Sequence, residues 1–259
     1  MKRVKMKRVT FLLLGILVAV IGCKKCPPPI ENEVKDLSSL TITYKPMFDA
    51  NPLTTKAFGN INTHNEDILV SNWGIIMSDV SLIKEDNTKL KLGDGYMYVN
   101  LASSDPSFTF TNIPEGNYKG IAYNIGVDSL ANHADPVVWG PTHPLNINFN
   151  SQHWGWAGGY IFHTIEGKYK PSGSTTESGF SYHTAKDPLL SSYEYILDFT
   201  LSNNAPRIAT IEADANKFFS NELSFTNQST NHSGSSEDMR LMSLWVNNMK
   251  QVFTLKSVN

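Results

Sequence analysis

Cysteine is nearly absent: of 259 residues only Cys23 and Cys26 carry thiols. Two cysteines so close together near the N-terminus build no disulfide framework for the body. Charge is also scarce, with 18% charged residues against 11% aromatic ones, so Asn, Ser and Thr must carry most of the polar surface. The formal net charge is -2, and no basic cluster exists beyond the first residues, which excludes a nucleic-acid binder. The apolar stretch Phe11 to Ile21 is about 11 residues long, well short of the ~20 a membrane-spanning helix needs. Enzyme signatures are missing as well: there is no H-E-x-x-H, no G-x-S-x-G and no P-loop. The acidic residues are scattered without a pair of glycosidase type. Asp128 and Asp135 lack the alternating ligands of an EF-hand. A non-enzymatic protein is the expectation.

What is present begins with a basic n-region, Lys2, Arg3, Lys5, Lys7 and Arg8, followed by the apolar run. That run ends in Val20-Ile21-Gly22-Cys23, which resembles the lipobox of bacterial lipoproteins. The resemblance implies cleavage before Cys23 and a diacylglyceryl group on its sulfur. Each buried methylene contributes ~0.8 kcal/mol, so two or three acyl chains anchor stably where one does not. The expected organisation is a signal peptide over residues 1–22, a lipidated tether over 23–37 and one domain over 38–259. Pro27-Pro28-Pro29 stiffens the tether, and Cys26 is a spare thiol within it. The expected location is the cell envelope, on the outer membrane, facing the periplasm or the surface.

The body reads as mostly β. Leu40-Thr41-Ile42-Thr43-Tyr44 alternates apolar and polar residues, the period of a half-buried strand. Ile68 to Ile83 carries one or two strands, and Phe108 to Phe110, Tyr118 to Asn124, Gly159 to Ile165, Phe180 to His183, Tyr195 to Leu201 and Arg207 to Ile211 are further short ones. Asp94-Gly95 and Ile113-Pro114-Glu115-Gly116 are turns. Many short strands between Gly, Pro, Asn and Asp turns predict an antiparallel β-sandwich with long functional loops. One short C-terminal helix is expected from about Glu237 to Lys250, capped by Ser235 with Asp238, with Met239, Met242, Val246 and Met249 as one apolar stripe. Such a stripe is read as core packing rather than as soft copper ligands. The stretch Asp128 to Pro144, rich in Pro, Asn, His and Asp and carrying Trp139, breaks the strand rhythm as a long functional loop.

Five of the seven histidines fall between His133 and His183: His133, His143, His153, His163 and His183. Trp139, Trp154 and Trp156 lie among them. Any one histidine alone reads as a solvated loop residue or a hydrogen-bonded core residue. Clustered in a cysteine-poor chain, they point to imidazole ligation of copper or zinc. His163 shares strand parity with Ile161 and Ile165 and is expected to be structural. His64 and His232 stand in polar stretches and are expected to be solvated. Gly155, Gly158 and Gly159 permit the bend that would let His153 and Trp154 serve one site.

From Leu40 to about Leu255 the chain resembles the MbnP-like family, the methanobactin-associated copper-binding proteins of bacteria. The landmarks are Ile113-Pro114-Glu115-Gly116-Asn117-Tyr118, Gly126-Val127-Asp128, Asn132-His133-Ala134-Asp135-Pro136, and Pro144-Leu145. After these come His153-Trp154-Gly155-Trp156 with Gly159-Tyr160, and Phe180-Ser181-Tyr182-His183. In order and spacing together they are specific. The resemblance implies a copper site of histidines at the cell envelope, with a nearby tryptophan oxidised to kynurenine by a dihaem peroxidase-like partner. Carried over by position, His133 and His183 are the ligand candidates, His153 a third and His143 a fourth, and Trp154 or Trp156 is the candidate for modification. The cysteine pair that follows the final His strand in methanotroph members is absent, since this chain reads Thr184-Ala185-Lys186-Asp187. The expected function is a lipid-anchored metal-binding protein, with copper favoured over zinc, acting in acquisition, buffering or delivery. The alternative is a surface sandwich that binds glycan or protein through exposed tryptophans.

Overall fold

A computed structural model describes residues 36–155, 158–203, 205–219, 222–232 and 234–259. The signal segment, Cys23 and the tether up to residue 35 lie outside the described residues. Among the described residues, no helix is long and apolar enough to cross a membrane.

Nine main strands make two sheets. They are β1 (Leu37–Phe48), β2 (Asp67–Lys84), β3 (Ser107–Pro114), β4 (Gly116–Ile125), β5 (Ile161–Lys170), β6 (Ser178–Ala185), β7 (Ser191–Leu201), β8 (Arg207–Asp214) and β9 (Phe253–Val258). One sheet has the order β9-β8-β1, with β3 on the other side of β1. The second runs β6-β5-β2-β4-β7. The antiparallel sandwich read from the turn spacing is what forms, with one departure: β1 and β8 are parallel, Leu40 opposite Arg207 and Met47 opposite Asp214. Chain neighbours β3 and β4 do not form a hairpin; β3 pairs with β1 and β4 with β2, so the turn at Glu115 passes from one sheet to the other.

The alternation seen in β1 buries Leu40, Ile42 and Tyr44 in the space between the sheets. Trp73, Ile75 and Met77 of β2 and Ile121, Tyr123 and Ile125 of β4 meet them there. Each such side chain contributes roughly 1.5–3 kcal/mol by leaving water. The helix Ser236–Met249 closes one side, its cap formed as the sequence predicts: Asp238 N–H donates to Ser235 Oγ (3.0 Å) and Ser235 N–H to the Asp238 carboxylate (3.3 Å). Met242 and Met249 are buried in the core beside Trp245, so the methionine stripe is packing. Trp245 stacks on Tyr182 (4.8 Å between centroids) and on Phe218 (4.3 Å).

The middle of β2 does not alternate. Ile75 faces the main core, yet its neighbour Ile76 is equally buried, in a second cluster with Val127, Leu145, Tyr160 and Phe162. The described residues of the excursion between β4 and β5, 126–155 and 158–160, pack Val127, Ala131, Leu145 and Tyr160 against Ile76 and Phe162 and so cover the outer face of the second sheet there. The expected long loop is therefore a folded flap with short helical turns at Ser129–Asn132, Pro136–Val138 and Ile147–Asn150.

Candidate functional site

Where the flap ends, the outer face of β2, β5 and β6 carries a polar row. Asn72 of β2 lies opposite Glu166 of β5, and Glu166 lies opposite Ser181 of β6, with His183 next on the same face. All converge on the Glu166 carboxylate. Asn72 Nδ2 donates to Oε2 at 3.0 Å, Ser181 Oγ donates to Oε1 at 3.0 Å, and His183 Nε2 lies 2.9 Å from Oε1. Burial pushes the Glu166 carboxyl up, but the bonds from Asn72, His183 and Ser181 outweigh it and hold the acid below the usual range. Burial lowers the His183 imidazole, against the opposing pull of Glu166, and so favours the uncharged ring. A neutral ring facing a carboxylate carries its proton on Nε2. The other nitrogen, Nδ1, is then a lone pair, and it is buried with no hydrogen-bond partner.

A segment at residues 229–232 pairs alongside β6. Ser181 N–H donates to Ser229 O (2.9 Å), and buried Asn231 clamps the His183 backbone, accepting from its N–H (2.9 Å) and donating to its C=O (2.8 Å). This seats His232 over His183, rings stacked at 4.2 Å and 28°. His232 Nε2 reaches Ser181 Oγ at 3.2 Å. Trp154 flanks the pair, its ring centroid 5.8 Å from that of His183, and is 38% exposed. Its turn closes through Trp154 N–H to Gly159 O (3.0 Å). Gly159 has φ +69, and a Cβ there would stand 2.5 Å from Asn132 Oδ1. That position accepts only glycine while Asn132 takes the Tyr160 N–H at 2.8 Å.

The four ligand candidates are not gathered at one point by the bonds they make. His183 sits as described. His133, well exposed, has its Nε2 3.2 Å from Asp187 Oδ2, a carboxylate also bound by Ser129 (2.5 Å) and, through Oδ1, by Asn132 (2.7 Å). His143 uses both nitrogens: Leu145 N–H donates to Nδ1 (3.0 Å) and Nε2 meets Asp94 Oδ2 (2.9 Å), while the ring stacks on Trp139 at 4.0 Å. His153 Nδ1 accepts from Gly155 N–H (2.9 Å), its ring stands edge-on to Tyr160 (4.7 Å), and burial lowers its basicity. Trp156 lies outside the described residues. Among the described residues, no group of three or more His, Cys, Asp or Glu is spaced to hold a metal ion.

His163 is structural, as its parity suggests. Wholly buried, it is depressed to about 3 by desolvation and approached by two indole N–H groups, Trp73 at 2.9 Å and Trp245 at 3.1 Å. A neutral imidazole offers one lone pair, so it satisfies one indole at a time. His64 is only half-buried, yet its Nε2 is shielded and unpartnered rather than solvated. His232 departs most from expectation: its ring is exposed, but it joins the His183 group. Glu166, Ser181 and Asn72 were also missed. Ser181 and Glu166 share the face of His183 by strand parity, a signal that was legible once the register of β5 and β6 is known.

Of the tryptophan platforms, Trp139 is half-buried and covered on one face by His143, leaving Trp154 as the exposed ring among the described residues. The sequence model of the MbnP family matches residues 37–236. The fold is similar to MbnP from Methylosinus trichosporium, with a TM-score of 0.50 and 15% identity over 77% of this chain and 82% of that one. At that identity the likeness speaks for the fold alone. No curated protein matches the chain.

Proposed function

Since this chain belongs to the MbnP family, we propose that it is a lipid-anchored, non-enzymatic metal-binding protein of the cell envelope, with copper favoured over zinc, serving acquisition, buffering or delivery. One observation carries the reading. His183 has a buried, unpartnered Nδ1 while its Nε2 is held by Glu166. Buried polar atoms without partners are rare and call for an explanation such as an unseen ion or water. A ligating histidine characteristically hands its other N–H to a carboxylate, which fixes the ring and raises its basicity. The donor set of imidazole with no thiolate in the domain suits copper and zinc alike, and the family favours copper. His183 would hold the ion from this chain, with Trp154 beside it. His133 and His153 stand as further candidate ligands, and the lipid on Cys23 would hold the domain at the outer membrane. A dihaem peroxidase-like partner would act on Trp154, the exposed ring next to His183.

The compact unit Lys35–Asn259 has its own core and lacks both cysteines, so it reports the domain without interference from Cys26. It should retain copper near one equivalent after dialysis at neutral pH, and His183→Ala should lose it. Metal analysis of the dialysed protein checks this. A wild-type unit that emerges copper-free sinks the reading.

A further inference from the structure

The histidines between 133 and 183 attract attention first because they cluster in sequence, but in space the ring stacked on His183 is that of His232. The other rings have other commitments. His143 has no free lone pair, His163 is sealed in the core, and His133 and His153 make their ring bonds to Asp187 and to the Gly155 N–H. His232 is exposed, and among the described residues its ring is held by one hydrogen bond, 3.2 Å from Ser181 Oγ. Ser181 donates its own proton to Glu166, so its oxygen accepts from His232 Nε2–H, which leaves His232 Nδ1 as a lone pair.

We propose that His232 is the second imidazole of the metal site, and that Glu166 is the positioning residue that holds His183 as the Nε2–H tautomer so that Nδ1 is the nitrogen offered to the ion. This rests on the metal-binding reading above. In the stacked pair the planes differ by 28°, and lone pairs lie in the ring planes, so both nitrogens do not point at one centre. Loading therefore turns His232 off the stack at the expense of its one bond to Ser181. His183 cannot make the corresponding move: its backbone is clamped by Asn231 and its ring by Glu166. The site thus pairs one fixed imidazole with one that swings. Glu166 is itself fixed by Asn72 and Ser181, which sets the ring angle of His183 from behind.

Long-range proton–nitrogen NMR of the ¹⁵N-labelled unit Lys35–Asn259 reads tautomers directly, and Cu⁺ under nitrogen is a diamagnetic probe. In the metal-free protein His183 should appear as the Nε2–H form. Adding Cu⁺ should shift Nδ1 of His183 and one nitrogen of His232. Glu166→Gln should weaken Cu⁺ binding about ten- to a hundredfold, as loss of such a carboxylate typically does, and should erode the single-tautomer signature of His183. His232→Ala should weaken binding by at least about tenfold, a loss of the order expected for one ligand or its orienting partner, whereas His64→Ala should leave binding unchanged. If Cu⁺ is retained but through Nε2 of His183, or if His232→Ala binds like wild type, this assignment is overturned while the metal reading stands. If wild type takes no Cu⁺, the metal reading falls and the assignment with it. The tautomer measured without metal still judges the role of Glu166 by itself.

Discussion

Glu66 is 1% exposed, and its carboxylate accepts five hydrogen bonds. Oε1 takes Ser224 Oγ, Thr226 N–H and Thr226 Oγ, each at 2.7 Å; Oε2 takes Asn62 Nδ2 at 2.7 Å and Phe225 N–H at 3.1 Å. Glu66→Gln keeps the shape but replaces one oxygen by an amide. With the amide oxygen at Oε1, its NH₂ faces Asn62 and Phe225, donor against donor. Asn62 cannot flip without cost, since its Oδ1 already accepts from His64 N–H and Glu66 N–H at 2.9 Å each. Two buried donors are left unmet at ~1–3 kcal/mol each, so the variant should lose about 4 kcal/mol. At roughly 2–4 °C per kcal/mol for a domain of this size, the melting temperature should fall by about 8–16 °C. Burial raises the Glu66 carboxyl, but the bonds from Thr226, Ser224 and Asn62 prevail and its folded pKa is lowered. A lowered acid contributes stability that is present above the unfolded value of about 4.3 and is lost as pH falls through the folded one. Urea unfolding of both proteins from pH 7 to pH 3 should therefore show a deficit that shrinks below about pH 4. Equal stability at pH 7, or a deficit independent of pH, would refute the argument.

Two further predictions concern the anchor and the indole. Cys23→Ser should move the protein into the soluble fraction, because lipid and not the short apolar run supplies lasting membrane affinity; a variant that still needs detergent for extraction contradicts the lipidation. Trp154, half-exposed beside His183, should be the ring found as kynurenine in native protein, seen by peptide mass and by absorption at longer wavelength. An unmodified Trp154 from cells whose envelope holds a dihaem peroxidase counts against the modification and leaves the proposed ligation by His183 untouched.

The parts legible in the sequence are those decided by local periodicity. Alternation over Leu40 to Tyr44, the Ser235 and Asp238 cap and the parity of His163 each depend on a few consecutive residues, and each holds in the fold. Tertiary cover was less legible: nothing local tells that the flap buries Ile76 as thoroughly as Ile75. Nor does the His232 environment, Asn231-His232 amid polar residues, disclose that Asn231 is wholly buried and bonded across to His183. The candidate site joins β2, β5, β6 and a distant loop, and its membership follows from strand register rather than from any motif.

The parallel pairing of β1 with β8 bears on how the chain comes to be folded. Leu40 finds its parallel neighbour only when Arg207 is available, and β9, the outer strand of that sheet, lies later still in the chain. Closure of a loop that long must come before the contact rewards it, and sheets built from such distant partners assemble slowly. A chain made from its N-terminus would thus hold β1 without its parallel neighbour for as long as the residues between them take to appear.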